Sequence, residues 1–184
     1  MLSLTSVDAM SNSADSPAHH SETIEVRTPS LADGTDLWRI AKGTGVLDVN
    51  TPYAYLLWTR DFAETSVIAT VDGEAAGFIS GYLRPTDPTT LFIWQVAVDS
   101  RFRGRRLASR MLADVVARSG ADRLETTITS DNAASIALFT GLAREHGTQI
   151  TTGDLFTEEL FPPQQESGEH HAAEDLYTVE PLKH

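Results

Sequence analysis

Residues 94–108 read WQVAVDSRFRGRRLA and decide the fold prediction, because a strand pattern changes to a helix pattern across one turn. The apolar run over residues 91–98 predicts a strand buried on both faces. Apolar residues at helical spacing from Leu107 onward predict that a helix follows. Gly104 and several arginines lie between the two patterns, so the segment is predicted to be strand, turn and helix.

The turn has the features of a pyrophosphate-binding site. A helix N-terminus presents backbone N–H groups to an anion, and small residues let a phosphate approach the backbone. Five of the 14 Lys and Arg residues lie between Arg101 and Arg110, where several phosphate oxygens could be held at once. We therefore expect a pyrophosphate ligand at this turn.

The same residues distinguish the turn from the common phosphate-binding and nucleic-acid-binding motifs. A P-loop is excluded because no Gly-Lys-Ser/Thr sequence ends the turn, and a Rossmann site is excluded because Gly-x-Gly-x-x-Gly is absent. Nucleic acid is disfavoured by the formal net charge of −12 and by the lack of a second basic patch. A solvated, Arg-rich helix start without a ligand stays open as an alternative.

Length and composition limit the class of protein. The chain has 184 residues, enough for one well-buried domain, and we expect a disordered tail over residues 1–22 followed by a single domain over residues 23–184. No apolar run approaches the roughly 20 residues that cross a membrane, and no signal-peptide pattern opens the chain, so we expect a cytoplasmic protein. Because cysteine is absent, a disulfide framework, a thiolate nucleophile and a zinc–thiolate site are excluded. We expect no metal, no nucleic-acid partner and no membrane partner.

Turn and cap signals give the element order β-α-α-β-β-β-α-β-α-β. Ser30 is predicted to cap the first helix, and Pro52 is predicted to open the second. Asp72-Gly73 between two β-branched runs predicts a hairpin. Asn132 is predicted to cap the helix that follows the strand expected over residues 123–129.

The C-terminal part has weaker signals. A short strand near residues 149–152 is compatible with the pattern, and an acidic loop is expected over residues 162–173. Alternation over residues 176–179 predicts a last strand.

The turn and the element order resemble the GNAT N-acetyltransferase superfamily. Residues 103–108, RGRRLA, are similar to its acetyl-CoA motif Arg/Gln-x-x-Gly-x-Gly/Ala. Arg106 stands where the family usually has its central Gly, whereas Gly104 and Ala108 stay small. The resemblance implies an α/β GNAT fold, whose mixed, mostly antiparallel, twisted sheet is flanked by helices and has a V-shaped splay after the acetyl-CoA-binding strand.

The resemblance also implies which residues bind and activate acetyl-CoA. The implied cofactor-binding residues are Val96, Ala97, Val98, Arg103, Gly104, Arg105, Arg106, Leu107, Ala108 and Asn132. In this family a backbone N–H beside a bulge polarises the thioester carbonyl, which places the catalytic donor at Val96 or Ala97. Residues 132–139 resemble the family pattern Asn-x-x-Ala-x-x-Leu-Tyr, but Phe139 replaces the Tyr that is thought to protonate the leaving thiolate.

A closer resemblance, to the diaminobutyrate acetyltransferases, rests on several blocks. They are residues 45–50, 53–56, 91–98, 124–127 and 171–177. This implies an enzyme of ectoine biosynthesis, a compatible-solute pathway, that converts L-2,4-diaminobutyrate to N4-acetyl-L-2,4-diaminobutyrate. It also implies a homodimer.

The substrate residues are expected from this resemblance. Asp48 is expected to contact an ammonium group, although a helix-capping Asp is the alternative. Tyr53 offers a hydroxyl for binding or catalysis, although core packing explains it equally well. For Trp94 the default is burial in the core, and the functional alternative, kept as a substrate-binding candidate, is a wall for the substrate's alkyl chain.

Three acidic or imidazole side chains complete the expected site. Glu125 alternates with Thr127 on a strand, where an unpaired carboxylate is costly; it is either a catalytic base or, as we favour, bonded to Thr hydroxyls. His171 and Glu174 are expected to fold back over the substrate with the C-terminal segment.

Two other functions stay open on the sequence. One is a GNAT enzyme that acetylates another amine, such as a protein N-terminus or a polyamine. The other is a non-catalytic CoA-binding module, which the Phe139 and Arg106 substitutions would suit.

Overall fold

The structure is a computed structural model that describes residues 22–45, 47, 49–163 and 171–183. Residues 1–21 of the predicted tail over residues 1–22, and residues 164–170 of the predicted acidic loop, therefore lie outside the described residues. The strands are β1 (Ile24–Arg27), β2 (Val67–Val71), β3 (Glu74–Arg84), β4 (Asp87–Val98), β5 (Arg123–Ile128), β6 (Gln149–Phe156) and β7 (Glu174–Glu180). The α-helices are α1 (Gly34–Thr44), α2 (Pro52–Asp61), α3 (Leu107–Ser119) and α4 (Ala133–Glu145).

The strands form one mixed sheet in the order β1-β2-β3-β4-β5-β7-β6. Neighbouring strands are antiparallel except β4 and β5, which are parallel. The parallel pairing covers only Thr90–Ile93 opposite Arg123–Thr126, so β4 and β5 are no longer paired beyond Ile93. The predicted fold class, including a splay after the buried strand, is confirmed.

The predicted turn and cap signals act as expected. Ser30 is the N-cap of a 3-10 turn (Leu31–Asp33) that leads into α1, whose own N-cap is Asp33. The backbone N–H and the hydroxyl of Ser30 donate to the Asp33 carboxylate, which also accepts from Arg27 at 2.7 Å. Pro52 occupies the first turn of α2, behind the Thr51 cap. The hairpin between β2 and β3 places Asp72 at φ 50° and Gly73 at φ 81°, the left-handed conformations that a two-residue hairpin turn requires.

Strand lengths in the C-terminal part differ from the prediction. β6 extends to Phe156 instead of stopping near residue 152, and β7 starts at Glu174 instead of residue 176. The two strands pair along almost their whole lengths. Because β6 is an edge strand whose residues are nearly all exposed, its side chains need no apolar alternation, and the main-chain ladder alone extends it.

Two apolar layers cover the sheet. The larger includes Met111 and Val115 of α3 and Phe139 of α4, packed against one face. The smaller includes Leu37 of α1 and Tyr55 of α2, packed against Phe78 and its neighbours on the other face. No helix in the described part of the chain is long and apolar enough to span a bilayer.

Candidate active site

A β-bulge interrupts β4 where the parallel pairing with β5 ends. Gly81 pairs with Ile93 and Ser80 pairs with Gln95, so Trp94 is the extra residue between them. This is the strand in which the resemblance to the GNAT family implied a bulge next to the catalytic donor.

The backbone groups of Val96 and Val98 face the gap between β4 and β5. The N–H of Asp99 donates to the carbonyl of Ala76 on β3 at 2.8 Å. Along an antiparallel strand the hydrogen-bonding groups of successive residues point to opposite sides. Ala97 therefore also faces β3, and Val96 and Val98 face the side from which β5 has departed. Between the two expected donors, this alternation favours the N–H of Val96.

The turn after β4 leads directly into the N-terminus of α3. Gly104 has φ 81° and Arg106 has φ 57°, both left-handed, and α3 begins at Leu107. A non-glycine residue pays a steric cost in this region. The turn's backbone therefore explains why a Gly suits position 106, and Arg106 keeps the same conformation at that cost.

The arginines of the turn have different partners. Arg101 contacts Asp99 and Glu74 at 2.7 Å each, and with its help the pKa of Asp99 is held at about 2. Arg105 contacts Glu22 at 2.6 Å. Arg103 lines the cleft described next and forms no ion pair with any of the described residues, so its guanidinium is available to a bound anion.

A cleft of about 980 Å³ occupies the gap between β4 and β5. Of the expected cofactor and substrate residues, it is lined by Trp94, Val96, Ala97, Val98, Arg103, Ala108 and Asn132. The side chain of Asn132 accepts from the N–H of Ser135 at 3.1 Å and caps α4, so the N-termini of α3 and α4 both border the cleft. A backbone edge, two helix N-termini and one cationic side chain form a site for an extended, anionic ligand.

Comparison with known proteins identifies the family. The model of the acetyltransferase (GNAT) family matches residues 35–142. The chain belongs to the GNAT acetyltransferase family. It is 50% identical over 163 residues to the L-2,4-diaminobutyric acid acetyltransferase of Nocardia farcinica, an alignment that covers 87% of this chain and 81% of that protein. A 39% identity over 151 residues, 80% of this chain and 87% of the relative, links it to the enzyme of the same name from Marinococcus halophilus.

A solved GNAT structure is similar over nearly the whole chain. It is the diaminobutyrate acetyltransferase from Paenibacillus lautus in complex with L-2,4-diaminobutyric acid and coenzyme A, with a TM-score of 0.83 and 36% identity. The similarity covers 89% of this chain and 98% of that one. The resemblance inferred from the sequence blocks is therefore confirmed.

Some of the residues expected from the GNAT motif lie away from the cleft. Leu107 is 2% exposed and belongs to the apolar core. The side chain of Arg106 lines a separate cavity of about 180 Å³ between α3 and α4. Gly104 and Arg105 are not among the cleft-lining residues. These four residues therefore do not line the cleft, and their expected contacts with the cofactor stay predictions.

Phe139 lies at the wall of the cleft and is 1% exposed. Its ring carries no proton to donate, so the side-chain acid of the GNAT pattern is missing at this position. The cleft wall does contain hydroxyl groups from Thr126, Thr127, Thr129 and Ser135. These four residues were not predicted as site residues, although the alternation of Thr127 and Thr129 in the sequence was a usable signal.

On the expected substrate side, Trp94 stacks on Trp58 of α2. Their ring centroids are 4.6 Å apart at an interplanar angle of 26°, and Trp94 is 38% exposed. Tyr53, in the first turn of α2, is 67% exposed. Neither residue is buried in the core, which was the default expectation for Trp94 and an equally weighted one for Tyr53. Thr44 and Leu47, before and within the α1–α2 connection, also line the cleft, and Asp48 lies outside the described residues.

Glu125 is 5% exposed and accepts a hydrogen bond from Arg84 at 2.9 Å. The expected Thr hydroxyl partners were therefore wrong, because the guanidinium of Arg84 reaches the carboxylate from β3. Glu125 does not line the cleft. The contact gives this interior carboxylate a charged hydrogen-bond partner, without which its burial would be costly.

His171 and Glu174 lie at the end of the sheet that carries the cleft. The ring of His171 stacks on Phe161 with 5.0 Å between centroids. Asp175 pairs with Ile128, so Glu174 adjoins the end of β5 where that strand borders the gap. Neither residue lines the cleft itself. The described residues contain no group of three or more His, Cys, Asp or Glu positioned to hold a metal ion.

Proposed function

We propose that this chain is an acetyl-CoA-dependent N-acetyltransferase that converts L-2,4-diaminobutyrate to N4-acetyl-L-2,4-diaminobutyrate in ectoine biosynthesis. The observation that carries the proposal is the match, over nearly the whole chain, to a diaminobutyrate acetyltransferase that binds diaminobutyric acid and coenzyme A. We further propose a cytoplasmic homodimer, on the resemblance to these enzymes.

Acetyl-CoA would enter the gap between β4 and β5. Its pantetheine amides would pair with the edge formed by Val96 and Val98, as an added strand does. Its pyrophosphate would accept from the first N–H groups of α3 and from the guanidinium of Arg103. The thioester carbonyl would then lie at the N–H of Val96, where a fixed donor stabilises the negative charge that develops on oxygen during attack.

Acetyl transfer needs the 4-amine in its neutral form. An alkylammonium has a pKa near 10.4, so deprotonation at pH 7 costs about 4.6 kcal/mol. The amine nitrogen forms a bond to the carbonyl carbon, the C–S bond of the tetrahedral intermediate breaks, and the thiolate takes up a proton. Tyr53 at the α2 start is our candidate for moving the amine's proton, together with water. The contact with Arg84 leaves Glu125 a weak candidate. Because Phe139 supplies no acid, the thiolate would be protonated by water or by another residue.

The substrate's two ammonium groups and carboxylate would be recognised at the mouth of the cleft. Asp48 follows the cleft-lining Leu47 in the sequence and is proposed to bind an ammonium group. Trp94 would contact the alkyl chain, and His171 and Glu174 would close the site from the β7 end.

An amine panel tests the proposal. Thiol release from acetyl-CoA would be measured with L-2,4-diaminobutyrate, 4-aminobutyrate, ornithine, spermidine and an N-terminal peptide. The highest kcat/KM is expected with diaminobutyrate. Turnover only with another amine would show that this amine, and not diaminobutyrate, is the substrate. Acetyl-CoA binding without turnover of any amine would indicate a non-catalytic CoA-binding module.

Asp48→Asn tests the ammonium contact. The change keeps the side chain's shape and removes its charge, so diaminobutyrate kcat/KM should fall by about 10- to 150-fold, the value of one charged hydrogen bond. Acetyl-CoA binding without amine should stay unchanged. A lower melting temperature with an unchanged kcat/KM would instead identify Asp48 as a helix cap.

A further inference from the structure

A buried side-chain hydrogen bond joins α2 to the bulge of β4. Tyr55, 1% exposed on α2, donates its hydroxyl proton to Oε1 of Gln95 at 3.2 Å. Gln95 is 6% exposed and directly follows the bulge residue Trp94. The Tyr55 ring packs edge-on against Phe78, with 6.1 Å between centroids. The bond therefore lies in an otherwise apolar layer, where it is shielded from water.

The position of Gln95 matters because β4 loses support at this point. Its pairing with β5 stops at Ile93, so from Trp94 onward only β3 holds the strand through a ladder. A bulge redirects the chain that follows it, and the next residue is Val96, whose N–H faces the cleft. The direction of that N–H thus depends on how the bulge is fixed on the α2 side.

We infer that Tyr55 is a positioning residue that acts through Gln95 to aim the N–H of Val96 at the thioester carbonyl. Tyr55 itself does not line the cleft, whereas Gln95 and Val96 do. The inference rests on the proposed acetyl transfer from acetyl-CoA, but it does not depend on which amine accepts the acetyl group.

The chain offers a matched control in Ser80. Ser80 lies on β3 opposite Gln95, is 1% exposed, and its hydroxyl has no hydrogen-bond partner among the described residues. Tyr55→Phe and Ser80→Ala each delete one buried hydroxyl beside the bulge. Only the first deletes a donor to Gln95.

Isotope-edited infrared spectroscopy of bound [1-¹³C]acetyl-CoA measures the polarisation directly. The wild-type protein should lower the thioester carbonyl frequency relative to free acetyl-CoA. Tyr55→Phe should abolish at least half of this shift, and Ser80→Ala should retain it. A full shift in Tyr55→Phe, or the absence of a shift in the wild-type protein, would overturn the inference.

Kinetics separate positioning from a loss of stability. A misplacement of about 1 Å costs on the order of 100-fold in rate, so Tyr55→Phe should lower kcat at least tenfold while the Kd of acetyl-CoA changes by less than about threefold. Ile40→Val, in the same apolar layer, should lower the melting temperature without lowering kcat. A kcat that falls equally in Ile40→Val would mean that packing, and not the hydrogen bond, is responsible.

A second variant tests the inference in case the Tyr55→Phe protein does not fold. Gln95→Met removes the acceptor, keeps the side-chain volume, and should reduce the carbonyl shift to the same extent. An unchanged shift in Gln95→Met would contradict the inference. If the wild-type protein shifts the carbonyl band but leaves diaminobutyrate unacetylated, the substrate assignment fails while the role of Tyr55 stands.

Discussion

Replacing Arg106 by Gly should stabilise the protein. Arg106 is held at φ 57°, a conformation that costs an L-residue about 1–2 kcal/mol and costs Gly almost nothing. Because Gly has more conformational freedom in the unfolded chain, the substitution also costs about 0.4–1 kcal/mol, which offsets part of that gain. We therefore expect Arg106→Gly to raise the free energy of unfolding by about 0.5–1 kcal/mol, which corresponds to a melting temperature higher by about 1–4 °C for a chain of this size.

Gly104→Ala is the matched control. Gly104 has φ 81°, and a Cβ built there meets nothing within 4 Å, so only backbone strain opposes the Ala. Its free energy of unfolding should fall by about as much as that of Arg106→Gly rises. Both values come from urea titrations with an unchanged m-value.

The Kd of acetyl-CoA shows whether the Arg106 side chain binds the cofactor. Since that side chain lines the cavity between α3 and α4, the Kd of acetyl-CoA should change by less than about threefold in Arg106→Gly, well under the value of a charged hydrogen bond. A tenfold weaker Kd would show that the guanidinium binds a phosphate. A lower melting temperature would refute the strain argument itself.

Three further outcomes are expected. Arg103→Ala should raise KM for acetyl-CoA by about 10- to 150-fold, because a charged hydrogen bond to the pyrophosphate is lost; an unchanged KM would remove Arg103 from the site. Phe139→Tyr should leave kcat within about tenfold, which is about 1.4 kcal/mol of barrier, and a much larger gain would show that an acid is lacking at this position. Arg27 holds the pKa of Asp33 at about 2, below its ordinary 3.8. Because folding depresses this pKa, the ionised carboxylate stabilises the fold above about pH 4, and this stabilisation is lost as the pH falls to about 2. The difference in free energy of unfolding between the wild-type protein and Asp33→Asn should therefore shrink by about 2 kcal/mol across that interval. A difference that does not change with pH would contradict this prediction.

The sequence predicted those parts of the fold that local chemistry controls. Asp72-Gly73, Ser30 and Pro52 act at a turn or a helix end where one conformation is strongly preferred, and each lies where expected. The ends of β6 and β7 could not be predicted, because a main-chain ladder at an exposed edge needs no side-chain pattern.

As with the fold, only part of the candidate site could be predicted from the sequence. The motif after β4 identified Arg103 and the edge of Val96, because a family pattern fixes their spacing. The contact between Arg84 and Glu125 joins residues 41 positions apart, and such a pair depends on strand order, which no local pattern contains. The bond between Tyr55 and Gln95 was missed for the same reason.

The position of the transferred acetyl group tests the central claim most directly. The protein would be incubated with [1-¹³C]acetyl-CoA and L-2,4-diaminobutyrate, and the product would be examined by ¹H–¹³C long-range correlation NMR. We expect the labelled carbonyl to correlate with the protons on C4, which places the acetyl group on the 4-amine. A correlation with the proton on C2, or labelled acetate without any amide, would contradict the assignment of this chain as a diaminobutyrate 4-N-acetyltransferase.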